Sequence, residues 1–185
     1  HLNKMLENGC KYAVVESSSH GLSTKLNRCG NILFDCGVFM NVTLEHLEFH
    51  KTFDQYKNDK ANLFRALDKH NHIKTIAGVQ TKVNSIGVVN LEDPSFVDFI
   101  NATNHQVYGY TSLGKAGKAA VENSAQISLP AIPENTHVMT ATDIVSASDG
   151  ISFNISAMDK DSHFTDESEQ TSFSVNAKLP GAFNA

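Results

Sequence analysis

Three polar residues lie at or beyond the ends of short apolar runs, and their side chains could bind a cation or transfer a proton. Glu16 ends one apolar run, His46 comes shortly after a second run at 37–40, and Lys60 lies in the segment beyond it. Lys60 is four residues after Tyr56, a spacing that places two side chains on one face of a helix. Ligands of open α/β sheets bind beyond the carboxyl ends of strands, so His46 and Lys60 can converge there. The spacing predicts a polar site at a strand-to-helix connection.

The same residues also fit a simpler interpretation, a solvated helix start with Thr52 as its cap and Lys60 on the surface. A second polar cluster favours the site, because Glu16 is followed by three serines at 17–19 and by His20. The serines alone would fit a polar turn whose hydroxyls bond to the backbone. Two polar clusters that both follow strands point to ligand chemistry more strongly than either cluster does.

Two other chemistries are poorly supported by the spacing. A serine beside His20 could suggest nucleophilic hydrolysis, but Gly-x-Ser-x-Gly is absent and no acid can be assigned as the partner of His20. His46 and His50 with Glu48 between them could suggest zinc. The zinc protease motif needs glutamate directly after its first histidine, where this chain has Leu47. We expect His50 to cap or pack locally.

The elements that would position these residues alternate between strands and helices up to residue 118. The predicted helices are 2–7, 54–67 and 94–100, the last with Asp93 as its cap. The predicted strands are 11–15, 34–40, 85–89 and 106–110, with a loop at 17–28. Beyond residue 118, alternating apolar and polar residues predict antiparallel strands at 136–146, 151–157 and 172–178. The sequence predicts an α/β fold with a mostly parallel sheet flanked by helices, at 1–118, and a smaller antiparallel β lobe, at 119–185.

Composition narrows the class of protein. The chain has 185 residues, of which 41% are hydrophobic, enough for one globular domain with a core. A net charge of −5 without basic runs argues against nucleic acid and anionic membranes as main partners. No apolar run approaches the roughly 20 residues that span a bilayer. Cys10, Cys29 and Cys36 lack metal-type spacing and fit reduced, structural thiols. We expect a cytoplasmic monomer, and because His1 is not a natural start, a missing amino terminus.

Several ordered motifs together resemble the central domain of the Mur ligase family over nearly the whole chain. They are ESSSHGL at 16–22, NVTLEHLEFH at 41–50, Tyr-x-x-x-Lys at 56–60 before NLF, NLED at 90–93 and LPGAFN at 179–184. Within the family, the chain most resembles the members that add the third residue of the peptidoglycan stem peptide. The resemblance implies ATP-dependent amide formation through an acyl phosphate, with Mg²⁺ as cofactor.

The resemblance also implies roles for individual residues. Glu16 and His46 match metal-binding residues, and Lys60 matches a lysine that is carbamylated to N6-carboxylysine in the family; all three would be catalytic. A lysine ammonium would repel Mg²⁺ and phosphate, whereas a carbamate is an anion that can orient the metal. Carbamylation needs the neutral amine, which burial and nearby cations favour. His46 as a ligand rests on the resemblance, since nitrogen ligation is less usual for Mg²⁺.

The substrates implied are ATP, UDP-MurNAc-dipeptide and a diamino acid, either L-lysine or meso-diaminopimelate. Ser18, His20 and Arg28 match residues that hold the UDP-MurNAc-dipeptide, although the loop 22–28 is longer than usual and Thr24 or Lys25 could replace Arg28. Two asparagines match positions near the adenine, namely Asn90 and Asn184.

One family feature is missing. The phosphate-binding Gly-Lys-Thr/Ser loop matches no stretch of this chain, and the segment 114–118 has neither its spacing nor its hydroxyl. We therefore expect a fragment that lacks this loop and the family's amino-terminal UDP-binding and carboxy-terminal domains, inactive alone but part of an active enzyme. A folylpolyglutamate synthase-like ligase of the same superfamily and a noncatalytic nucleotide-binding module stay open as alternatives.

Overall fold

The computed structural model describes residues 1–69, 72–76, 78–112, 131–133, 136–158 and 172–178. The helices are α1 (Leu2–Glu7), α2 (Ser19–Leu22), α3 (Leu47–His50), α4 (Phe53–Leu67) and α5 (Phe96–Ile100). The strands are β1 (Cys36–Phe39), β2 (His72–Ile76), β3 (Val79–Val83), β4 (Ile86–Asn90), β5 (Gln106–Thr111), β6 (His137–Ala147), β7 (Gly150–Met158) and β8 (Ser172–Ala177). None of the helices in these ranges is long and apolar enough to cross a membrane.

One six-stranded sheet organises the fold, in the order β1-β4-β5-β6-β7-β8. The pairs from β1 to β6 are parallel, and β6-β7 and β7-β8 are antiparallel. A separate antiparallel pair is formed by β2 and β3. The predicted α/β class, with a parallel sheet and an antiparallel part, is therefore confirmed. Strand β6 pairs with both parts, so the antiparallel strands extend the parallel sheet. The predicted division at residue 118 lies outside the described residues.

Helix α4 follows closely from its sequence. Thr52 precedes it in an extended conformation, and its side chain accepts a hydrogen bond from the backbone N–H of Gln55 at 3.1 Å, as expected of an N-cap. The apolar residues recur at helical spacing and face the sheet. Those that are buried are Tyr56, Ala61, Phe64 and Leu67. The predicted helix and its Thr52 cap are confirmed.

The core lies between α4, α5 and the parallel strands. Phe39 of β1 stacks on Phe99 of α5 with ring centroids 3.7 Å apart, and Phe64 of α4 meets Phe99 edge-on at 5.5 Å. Gly87 of β4 leaves space for Phe64, because a Cβ there would lie 2.8 Å from the Phe64 ring. These contacts fix α4 against the parallel strands.

Three predicted local structures were wrong. Residues 11–15 form no strand: Tyr12 and Val14 are 89% and 102% exposed, and without a neighbouring strand this apolar run has nothing to pack against. The loop 17–28 contains the short helix α2. Helix α5 begins at Phe96, two residues late, because the Asp93 side chain accepts the N–H of Ser95 and stabilises a turn before the helix.

Candidate functional site

The serine segment at 17–19 leads directly into α2. Ser18 is its N-cap, and the Ser18 hydroxyl accepts the N–H of Gly21 at 3.2 Å. Ser18 is exposed, Ser19 is buried, and His20 is partly buried. The capping bond fixes the direction of α2, so neighbouring positions point to different sides. Ser19 points into the protein, and the His20 ring packs against the side chains of α3.

His46 lies at the start of α3 in the left-handed region, with φ of 58°. This conformation is uncommon for a residue that has a Cβ. The imidazole lies between two carboxylates, with Nε2 3.9 Å from Glu45 and Nδ1 3.6 Å from Glu48. A hydrogen bond of Glu48 to its own backbone N–H, helped by the neighbouring His46, lowers the pKa of Glu48. The carboxylate therefore stays ionised near neutral pH and available to a cation.

His20, His46 and Glu48 could hold a metal ion together. Their ligand atoms all lie within 4.8 Å of one another, and the rings of His20 and His46 meet edge-on at 5.1 Å. Mg²⁺ uses one or two carboxylates and keeps several waters or phosphate oxygens, which the exposed Glu48 and half-exposed His46 leave room for. The residues fit a divalent cation, although two imidazoles suit transition metals better than they suit Mg²⁺.

Lys60 and Tyr56 extend this cluster along α4. The Lys60 Nζ lies 5.4 Å from the centre of the Tyr56 ring, whose other neighbours include His46 at 6.0 Å between centroids. Tyr56 is buried; burial, helped by the negative charge of Glu45, raises the pKa of its hydroxyl. The ring therefore stays neutral and offers its face to the ammonium. Tyr56 is therefore a neighbour of both His46 and Lys60.

A buried hydrogen-bond network lies beneath the cluster. His50 Nδ1 is 2.7 Å from Asp59 Oδ2, and His50 Nε2 is 2.9 Å from Ser19 Oγ. The Asp59 Oδ1 also accepts a hydrogen bond from the side chain of Gln55 at 3.1 Å. Ser19, His50 and Asp59 are 2%, 3% and 4% exposed. The order serine, histidine, aspartate matches a hydrolytic triad, but substrate cannot reach a hydroxyl that is this deeply buried.

The remaining predicted residues lie apart from this cluster or make structural contacts. Glu16 and Arg28 are exposed, and Glu16 is not in the group formed by His20, His46 and Glu48. Asn90 joins two strand ends, since its amide donates to the Met40 carbonyl at 2.9 Å and accepts the N–H of Glu92. Asn184 lies outside the described residues, as do 114–118 and LPGAFN at 179–184.

Asp93 gives these strand ends their support. Its Oδ2 accepts the N–H of Val42 at 2.8 Å, and its Oδ1 accepts the N–H of Ser95. Val42 directly follows Asn41 at the start of the segment that leads to His46. A carboxylate after β4 therefore holds the chain that leaves β1, and both sides of the connection are fixed to one sheet edge.

Sequence reasoning missed Ser19, Asp59 and Glu48 as members of the site. The sequence points to Glu48 only through the zinc motif. Its side chain lies near His46 because the backbone of His46 makes a left-handed turn. Ser19 and His50 are 31 positions apart in the chain, so no local spacing connects them. Two features of the sequence could have indicated this network. Ser19 is the third serine of the run at 17–19, and Asp59 directly precedes Lys60.

The chain matches the family described as Mur ligase middle domain over residues 1–185. It is 42% identical to a UDP-N-acetylmuramyl-tripeptide synthetase of Treponema denticola over 183 residues, covering 99% of this chain and 29% of that protein. It is 30% identical to a UDP-N-acetylmuramoyl-L-alanyl-D-glutamate--2,6-diaminopimelate ligase of Clostridioides difficile, covering 84% of this chain and 25% of that protein. The crystal structure of MurF from Acinetobacter baumannii is similar at a TM-score of 0.46 and 14% identity, covering 82% of this chain and 23% of that chain.

Proposed function

This chain belongs to the Mur ligase family as its middle domain, and from that premise we propose that the protein containing it is an ATP-dependent amide ligase of peptidoglycan synthesis. The reaction joins L-lysine or meso-diaminopimelate to UDP-MurNAc-L-Ala-D-Glu. The chain spans less than a third of the length of the relatives described above, so the activity is proposed for the whole protein. The observation that carries the proposal is the group of His20, His46 and Glu48, whose ligand atoms lie within 4.8 Å of one another, next to the Tyr56 ring that Lys60 contacts.

The reaction would run in two steps. The free carboxylate of the UDP-MurNAc-dipeptide attacks the γ-phosphorus of ATP, ADP leaves, and an acyl phosphate forms. The amine of the diamino acid then attacks the acyl carbon, forms the amide, and releases phosphate and a proton. A bound Mg²⁺ would supply positive charge that offsets the repulsion between the two anionic reactants.

The residues of this chain would bind and orient the reactants. We assign the cation to His46 and Glu16 because the family resemblance implies both, and we add Glu48 as the carboxylate beside His46. Ser18, His20 and Arg28 would bind the UDP-MurNAc-dipeptide. His20 supports this role best, because it joins the serine segment to the cation cluster. Asn90 and Asn184 would lie near the adenine.

Lys60 would act as N6-carboxylysine. The neutral amine attacks CO₂, a proton is lost, and the resulting carbamate offers two oxygens to the cation. In the structure the Lys60 Nζ lies over the Tyr56 ring, 5.4 Å from its centre. Cytoplasmic location and a monomeric state remain predictions from the sequence.

The test is phosphate release by the full-length protein with ATP, Mg²⁺ and UDP-MurNAc-L-Ala-D-Glu, with L-lysine or meso-diaminopimelate in separate reactions. We expect release only when the dipeptide and one of the two amines are both present. Activity with a folate and glutamate instead would support a folylpolyglutamate synthase-like ligase. Nucleotide binding without turnover of any substrate would support the noncatalytic module.

A further inference from the structure

The buried network of Ser19, His50 and Asp59 joins three separate elements. Ser19 opens α2, His50 ends α3, and Asp59 lies on α4. Its two central bonds measure 2.7 Å and 2.9 Å, and all three residues are at most 4% exposed. Hydrogen bonds that are shielded from water are strong, and an unmet partner there is costly. Such a network fixes the relative positions of the elements that it joins.

Each member of the network is close in the chain to a proposed ligand-binding residue. Ser19 lies between Ser18 and His20, and Asp59 directly precedes Lys60. His50 comes one helical turn after His46, and the backbone N–H of His50 donates to the His46 carbonyl at 3.1 Å. The network is buried, so it can fix the positions of these ligand-binding residues without contacting substrate itself.

We infer that Ser19, His50 and Asp59 are positioning residues, which hold the serine segment and His46 in register with Lys60 before substrate binds. The inference rests on the proposed ligase function. Ser19 would act mainly on the UDP-MurNAc-dipeptide, because it fixes Ser18 and His20. Asp59 would act mainly on the cation and on Lys60.

The hydrogen positions follow from the chemistry of the partners. Carboxylate oxygens accept hydrogen bonds, so we assign His50 Nδ1 as the donor to Asp59 Oδ2. In the neutral imidazole, Nε2 is then the acceptor, and the Ser19 hydroxyl donates its proton to it. Each of the two bonds can be removed separately, because they use different atoms of His50.

The test compares Ser19→Ala with Ser85→Ala in the full-length protein. Ser85 is a matched control, since it is 1% exposed and its hydroxyl has no hydrogen-bond partner. We expect Ser19→Ala to raise KM for the UDP-MurNAc-dipeptide about tenfold, the effect of roughly one buried hydrogen bond, with KM for ATP within about twofold of the wild-type value. Ser85→Ala should leave both KM values unchanged.

A second pair of variants separates the two bonds. His50→Asn keeps a donor near Asp59 and loses the bond to Ser19, so it should behave like Ser19→Ala, and the double variant should show little additional effect. Asp59→Ala should instead raise the Mg²⁺ concentration needed for half-maximal activity. Equal losses for both substrates in all variants, in proportion to lost stability, would show a structural role only.

Hydrogen exchange decides the inference even without turnover. In Ser19→Ala, amide exchange at residues 18–23 and 46–51 should be faster than in Ser85→Ala and in the wild-type protein. If the wild-type protein is inactive with every substrate, the proposed function fails while this measurement still shows whether the network orders the two segments. If the wild-type protein is active and neither KM nor exchange changes in Ser19→Ala, only the positioning role fails.

Discussion

The two ends of the main sheet differ in how deeply their side chains are buried. The parallel end, which α4 and α5 cover, is the covered end. At the parallel end, β4 and β5 pack under α4 and α5, and Val89 and Val107 are 0% and 4% exposed. At the antiparallel end, no residue of β8 is buried, and Phe173 is 54% exposed. Two residues of the proposed site belong to the covered end, because Lys60 lies on α4 and Asn90 ends β4. A site that must hold a cation and two anions within a few ångströms needs such rigid support.

The largest expected effect comes from removing the central ring of the covered end. Phe64 is fully buried and contacts Phe99, so Phe64→Ala should lower the free energy of unfolding by about 3–5 kcal/mol. Phe173→Ala, the matched substitution on β8, should lower it by less than about 1 kcal/mol. Urea unfolding of both variants measures the difference. Equal losses would show that the two ends are equally packed.

A smaller loss of unfolding free energy is expected from adding a methyl group to a glycine of the covered end. A Cβ at Gly109 of β5 would lie 2.7 Å from three side-chain atoms of Leu91, which is itself buried. Gly109→Ala should therefore cost about 1–3 kcal/mol of unfolding free energy. At Gly37 of β1 the closest atom would lie at 3.4 Å, an ordinary contact. Gly37→Ala is thus the control, and a loss as large as that of Gly109→Ala would contradict the proposed tight packing.

The smallest effect is expected at the surface between α4 and α5. Lys57 pairs with Asp98 at 2.8 Å, and this hydrogen bond raises the pKa of Lys57. Asp98 is half exposed, so Lys57→Met should cost only about 0.5 kcal/mol. The pKa is higher in the folded protein, so the contribution is complete below the unfolded pKa of about 10.4 and is lost as pH rises through the folded value.

Unfolding measured at neutral pH and at high pH tests this sign. The difference between wild type and Lys57→Met should shrink at high pH, whereas Lys11→Met, at an exposed lysine, should show no such trend. A gap that widens with pH would be inconsistent with the pairing of Lys57 and Asp98.

Local patterns predicted much of the covered end. Helix α4, its Thr52 cap and the strands β4 and β5 follow from periodicity and capping, which act over a few residues. Residues 11–15 show the limit of that reasoning. A short apolar run is typical of a buried strand, yet a strand needs a partner that the segment itself does not encode, and Val14 remains exposed.

Local sequence patterns also predicted only part of the candidate site. The spacing of Tyr56 and Lys60 predicted their contact, because residues four apart on a helix are neighbours. The network of Ser19, His50 and Asp59 could not be predicted in this way, since it depends on how α2, α3 and α4 pack. The partners of a buried histidine are set by tertiary structure and not by neighbouring residues.

The most direct test of the central claim, that the covered end carries the ligase chemistry, is the activity of Lys60→Ala in the full-length protein. We expect phosphate release that depends on the UDP-MurNAc-dipeptide and amine to be lost in this variant and partly restored by acetate or another short carboxylate, which replaces the missing carbamate. Lys11→Ala, at an exposed lysine with no proposed role in the site, is the control. Unchanged activity in Lys60→Ala would contradict the claim.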